Sequence, residues 1–349
     1  NDTTITAATF GESQATAESV KESASAGTIS EAIGVYQSAF ESGGEFDITS
    51  TAVNAGNVTA STVGDGIDEN GIETLDQASA FANLKAQAIN LENLGSNDLG
   101  LETAGNANVT ASGGIQTDVT SKNTDGDAIA KADLEALGMQ IENGSIGGDA
   151  NIQTVGLIDI SNISAETTSS GEAVATAEIA VNSLEVTDGL IVGGKADFIS
   201  QTTSKVNIES DNIKGDATSS SNQDIGEGFS VAGMQLNGLD LASDTTFASI
   251  LVDEFNTSAK TVEGNAGANT NQSLLGIGFQ GADNVAAGDV SISSVMSHTS
   301  FTEASSVQGI ATVEDKLSAV GIEIDAFDID GDASISSNVV VRASSSTES

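Results

Sequence analysis

A chain of 349 residues with 10 Lys and Arg against 51 Asp and Glu carries a formal charge of -41. Nucleic acid and anionic membrane surfaces are both bound through Lys and Arg, so this charge excludes them as partners. Cys, Pro and Trp are absent, while 38% of residues are hydrophobic and 38 are Gly; that removes disulfides and thiol chemistry, argues against a disordered tail, and suits laddered β backbone around a thin interior.

From the amino terminus, one short pattern recurs along the whole chain. Its clearest copies read Gly-Asp-Ala-x-Ile, at Gly148 to Ile152 and Gly331 to Ile335. Gly105 to Val109, Gly194 to Phe198, Ser243 to Phe247 and Gly288 to Ile292 are variants, and Asn1 to Ile5 and Asn54 to Val58 fit more loosely. The large apolar residue of each copy, at Ile5, Val58, Val109, Ile152, Phe198, Phe247, Ile292 and Ile335, falls 43 to 53 residues after the last. A period of this length signals a solenoid, propeller or linear array. The expected repeats cover 1-53, 54-104, 105-147, 148-193, 194-242, 243-287 and 288-330, with a partial repeat at 331-349, all in a single array.

A second marker travels with the first, as a small residue, two spacers and a large apolar residue. It runs through Gly43 to Phe46, Ala88 to Leu91, Gly138 to Ile141, Ser183 to Val186, Gly233 to Leu236, Gly276 to Phe279 and Gly321 to Ile324. Between the markers, polar clusters at Gly64 to Gly71, Lys122 to Asp127, Ala165 to Gly171 and Thr302 to Gly309 read as turns. Strand alternation is clearest where Ala173, Ala175, Ala177, Ile179 and Val181 alternate with Val174, Thr176, Glu178 and Ala180. Three or so strands per repeat are expected. Ala78 to Leu94 and Ala128 to Leu137 carry good helix formers and could hold short helices.

The fold class that follows is all-β, a β-solenoid of about seven repeats of about 45 residues plus one partial repeat, with an antiparallel β-hairpin array as the alternative. Asp2, Asp149, Asp244, Asp289 and Asp332 share one position of the first marker. With one repeat per rung these carboxylates would stack about 4.8 Å apart, which calls for a bridging cation or for more than one rung between repeats.

No catalytic constellation emerges, and the chain reads as a non-enzyme. The lone histidine, His298, lies on or near a strand and reads as a solvated surface residue. Calcium is the more credible ligand, because Gly64 to Glu73 and Asp325 to Asp332 crowd oxygen donors. Asp65, Asp68 and Glu69, with Asp328, Asp330 and Asp332, are the candidate Ca2+ ligands, solvated turn acids being the alternative. Neither stretch meets the full EF-hand spacing, and no cofactor is required. N-x-[ST] sequons at Asn57, Asn108, Asn143, Asn162, Asn256 and Asn271 are about as many as this composition yields by chance. No stretch approaches the roughly 18 apolar residues of a membrane span. A start at Asn1 rather than Met fits either a processed secreted chain or an excised fragment.

The last partial repeat supplies an unpartnered strand, Ser334 to Arg342, whose expected role is self-assembly. Ser334, Ile335, Val339, Val340 and Val341 are its candidate contacts, docking on the amino-terminal repeat of the next copy to make a head-to-tail homopolymer. Acidic Ser/Thr/Asn/Gly-rich β repeats without cysteine resemble, in composition and periodicity, secreted bacterial β-solenoid adhesins and surface-fibre proteins. The resemblance implies an extracellular or cell-surface structural role, in a filament, sheath or biofilm matrix. The alternatives are a repeat segment of a calcium-stabilised adhesin or surface-layer protein that meets a surface glycan or cell-surface target, and a carbohydrate-active β-helix.

Overall fold

The computed structural model describes all residues except 1, 21, 39, 64–75, 93–99, 169–170, 222–229 and 282–283. The described residues form strands and no helix. In chain order these are β1 (Thr3–Ser19), β2 (Ala24–Ser38), β3 (Phe40–Ser42), β4 (Phe46–Thr62), β5 (Asp76–Glu92), β6 (Leu101–Thr103) and β7 (Ala107–Asn123). There follow β8 (Gly126–Ile146), β9 (Ala150–Thr167), β10 (Ala173–Val192), β11 (Ala196–Asn212), β12 (Ala217–Ser221), β13 (Val231–Asn237) and β14 (Leu239–Leu241). The last are β15 (Thr245–Thr261), β16 (Ala266–Gln280), β17 (Val285–Ala286), β18 (Val290–Ser306), β19 (Ala311–Ile324), β20 (Asp328–Ile329) and β21 (Ala333–Glu348).

An eight-stranded sheet takes β1, β4, β7, β9, β11, β15, β18 and β21 in that order. The remaining strands make a second, 13-stranded sheet. Every pairing among the described residues is parallel. The antiparallel hairpin alternative is therefore overturned, and the arrangement is compatible with a β-solenoid. Parallel strands need a crossover, and here each crossover carries one to three strands of the opposite sheet.

Alternation places one side of each strand inside. In β4 the buried set includes Phe46, Ile48, Ala52, Val58 and Ala60, and in β5 it includes Ala78, Ala80, Ala82 and Leu84. Residues of both sheets share each of the two large core clusters, so the core lies between the sheets. Alanine stacks on alanine along one column, Ala24, Ala78, Ala128, Ala173, Ala217, Ala266 and Ala311. Aromatic rings do the same elsewhere: Phe198 lies parallel to Phe247 at 5.1 Å, and Phe279 meets Phe247 edge-on at 4.9 Å. Of the helix-forming stretches, Ala78–Glu92 and Ala128 to Leu137 are strand, in β5 and β8, and residues 93–94 lie outside the described residues. Their alanines are needed as small side chains in a thin interior, and that tertiary demand overrides local propensity.

The register corrects both markers. Ile5 pairs with Ile48, and Ile48 with Val109, so the column runs through Ile48, while Val58 pairs with Ala15 and Val119. Val58 occupies the same face of β4 ten residues on, where the period-two pattern imitates the marker. In the second marker Leu91, Ile141, Val186, Leu236, Phe279 and Ile324 do form one column, but its first member is Gln37 and not Phe46. Phe46 instead opens β4 in the other sheet.

The small residues of this second marker sit where the strands of the 13-stranded sheet step out of regular pairing, between Ala232 and Met234 and between Leu275 and Ile277. A Cβ at Gly276 would run into Ser294 Oγ and the carbonyl of Gly321. The step thus brings backbone against the Ser200, Ser249 and Ser294 column of the opposite sheet, which leaves no room for a side chain.

Candidate functional site

Three features concentrate polar or unpaired groups. The first is the pair of outermost strands of the eight-stranded sheet. Among the described residues β1 pairs with β4 alone and β21 with β18 alone. The five candidate assembly residues all lie on β21 and are exposed. Ile335, Val339 and Val341 stand opposite the buried Ile292, Met296 and His298, and so share the inward side. Ser334 and Val340 point outward by alternation. An apolar inward row that is buried on earlier strands is uncovered here, with Ile335 54% exposed.

The second feature is the turn into each sheet. Asp2 Oδ1 accepts the Glu45 N–H at 3.2 Å, Asn106 Oδ1 that of Asp149 at 2.9 Å, and Asp149 Oδ1 that of Lys195 at 2.8 Å. Asp244 Oδ1 accepts the Asp289 N–H at 3.2 Å, and Asp289 Oδ1 the Asp332 N–H at 2.9 Å. At the entry to the other sheet Asp127 serves Glu172 at 2.9 Å, and Asp216 serves Asn265 at 2.7 Å. Of the recurrent aspartates, Asp244, Asp289 and Asp332 stack directly, ahead of the adjacent strands β15, β18 and β21, which overturns the extra-rung alternative for them, while Glu45, Asn106 and Lys195 stand at the equivalent places beside Asp2 and Asp149. The carboxylates of Asp244 and Asp289 are turned to bond the next backbone N–H, a charge-assisted contact that offsets the repulsion.

The third feature is inside. His298 is 1% exposed, which corrects the surface reading, and its Nδ1 lies 2.6 Å from Oδ2 of Asp253, itself 0% exposed. Ser204, Asp253 and His298 form one inward column on β11, β15 and β18. His298 Nε2 has no hydrogen-bond partner among the described residues. Burial pushes the Asp253 carboxyl up, with His298 and Ser204 pulling it back. Burial also raises Asp315 on β19, opposed by His298 and Ser300. Sequence reasoning missed this pair because its members are 45 residues apart. The signal available was their common place after the marker, five and six residues beyond Phe247 and Ile292 being Val252, Asp253, Ser297 and His298.

The calcium candidates divide. Asp65, Asp68 and Glu69 lie outside the described residues. Asp328, Asp330 and Asp332 are exposed, and their N–H groups bond Asn284 O, Ala286 O and Asp289 Oδ1 at 2.9 Å each. Among the described residues no three His, Cys, Asp or Glu side chains converge as metal ligands, so these three are not brought into one site. Two of the sequons are engaged in an outward amide ladder. Asn162 Nδ2 donates to Asp118 at 2.8 Å, Asn207 to Asn162 at 3.0 Å and Asn256 to Asn207 at 2.8 Å. No family model, curated protein or solved structure matches the chain.

Proposed function

We propose that the chain is a β-solenoid of about seven repeats plus one partial repeat, and that it acts as an extracellular structural subunit joining head to tail by β-strand addition. The observation that carries this reading is the pair of one-sided strands, β1 and β21, at opposite edges of a parallel, in-register sheet. Such edges present a row of unpaired N–H and C=O groups that template another strand. On β21 the exposed Ile335, Val339 and Val341 add apolar surface that an incoming coil would cover. The acidic composition keeps single copies apart until edge meets edge, and favours a salty, cation-rich medium. A fibre or matrix role is what the resemblance to secreted β-repeat surface proteins adds.

Electron microscopy of the purified chain, with and without millimolar Ca2+, tests the proposal. Uniform filaments are the expected result, and removal of Gly331 to Ser349 should leave a folded monomer. Dispersed rods from the full chain, or filaments that persist after the removal, would overturn it.

A further inference from the structure

The outward side of the eight-stranded sheet carries a stripe without a single charge. Three neighbouring columns compose it, and each crosses all eight strands in register. One runs from Thr6 to Ser336, the next from Ala8 to Asn338, the third from Phe10 to Val340. None of the positions in these columns is Asp, Glu, Lys or Arg, although such residues make up 17% of the chain and the protein carries -41. The stripe is also apolar at its centre. Ile199, Ile250 and Val295 are 43%, 51% and 44% exposed, although each stands in an ordered strand with polar alternatives all around it. By contrast, the outward side of the other sheet bears charge along adjoining columns, as at Lys85 and Glu135 or Lys131 and Glu178.

We propose that this stripe is a lateral interface on which a second copy of the chain docks face to face. Two observations choose the occupant. Charge is the first: strongly acidic copies repel wherever their carboxylates approach, and at physiological ionic strength that repulsion reaches only about 8 Å. Face-to-face contact between two copies is therefore least opposed across a surface free of carboxylates, and this stripe is the one broad uncharged surface on either sheet among the described residues. Area is the second. Eight strands at about 4.8 Å and six residues of width at about 3.3 Å give a footprint of roughly 750 Å² per copy. That is close to the roughly 800 Å² per partner of a standard stable interface. The same patch on both copies makes a closed, isologous pair. The contact uses neither β1 nor β21 edges as partners for hydrogen bonding, so it is independent of head-to-tail joining and would tie filaments side by side.

Because the chain has no cysteine, single thiols report the contact directly. Ser297→Cys places one on the stripe, and Ala180→Cys places an exposed one on the outer side of the other sheet. A short bifunctional thiol reagent should cross-link the first into dimers and not the second. Sedimentation of the full chain should show pairing that strengthens as NaCl is raised, and Ile250→Glu with Val295→Glu should weaken it by at least about tenfold. Circular dichroism checks that the double variant remains folded. Equal cross-linking at both thiols, or unchanged pairing in the double variant, would overturn the proposal. So would a chain that stays unpaired at every salt concentration and instead adsorbs through Ile250 and Val295 to ice or to a neutral polysaccharide.

Discussion

At the scale of single residues, the buried His298–Asp253 pair dominates. It holds two almost fully buried ionisable groups in an interior built mainly from alanine, aliphatic and phenylalanine side chains with serine and threonine. Truncating one member strands the other, so His298→Ala should cost about 3–5 kcal/mol in urea unfolding. Replacing both with the residues that flank them in the column, Asp253→Ser with His298→Val, should cost distinctly less than the two single changes added together. A double variant as unstable as that sum would show that the pair is not a coupled unit. Asp315 supplies a pH dependence. Its carboxyl is raised by burial, so the folded chain holds this proton to higher pH than the unfolded chain does. Stability from this group is complete at low pH and is lost as pH rises from about 4 through the raised folded value. Thermal melts of the wild type and Asp315→Asn between about pH 4 and 8 should therefore converge at the acid end, with the wild type falling behind as pH rises. The stacked carboxylates make a second residue-scale case. Asp289→Asn keeps the acceptor for the Asp332 N–H and removes a charge between Asp244 and Asp332, as Asn106 does naturally. It should stabilise the chain by a few tenths of a kcal/mol at low salt, whereas Asp289→Ala should cost about 1 kcal/mol through the lost bond.

At the scale of the strand, the step in the 13-stranded sheet sets what each position tolerates. Within β16 two glycines make a controlled comparison. A Cβ at Gly276 collides with Ser294 and the Gly321 carbonyl, while one at Gly267 meets nothing within 4 Å. Gly276→Ala should cost about 1–3 kcal/mol as an overpacked site, and Gly267→Ala should be neutral or slightly stabilising. Equal melting temperatures for the two variants would contradict the close approach at the step. The same geometry accounts for the glycines of the second marker: a Cβ at Gly138, Gly233, Gly276 or Gly321 would meet Val155 O, Ser249 Oγ, Ser294 Oγ or Ser337 Oγ of the opposite sheet, and none of the four has a positive φ.

For the whole molecule, charge and registry act together. Lys122–Glu166, Lys205–Glu254 and Lys85–Glu135 are ion pairs between directly opposed positions of neighbouring strands. They are half-buried to exposed and individually weak, contributing about 0–1 kcal/mol each. They cannot offset a net charge of -41. Raising NaCl from low millimolar to several hundred millimolar should therefore raise the melting temperature, because relief of self-repulsion outweighs the loss of these pairs. A melting temperature that falls with salt would mean that the pairs outweigh the repulsion.

The sequence by itself determined the all-β class, the thin interior of small side chains, the recurrence of an aspartate in the first marker and of a small residue in the second. Each of these is local, resting on side-chain alternation, on backbone that excludes proline, or on a short motif. Register was decided only by the tertiary structure. Shifting a strand by an even number of residues keeps its inward face inward, so alternation alone cannot distinguish Ile48 from Val58 as the partner of Ile5. The pairing of His298 with Asp253 and the uncharged stripe across eight strands both depend on that choice. They arise from contacts between positions some 45 residues apart, which no local pattern encodes.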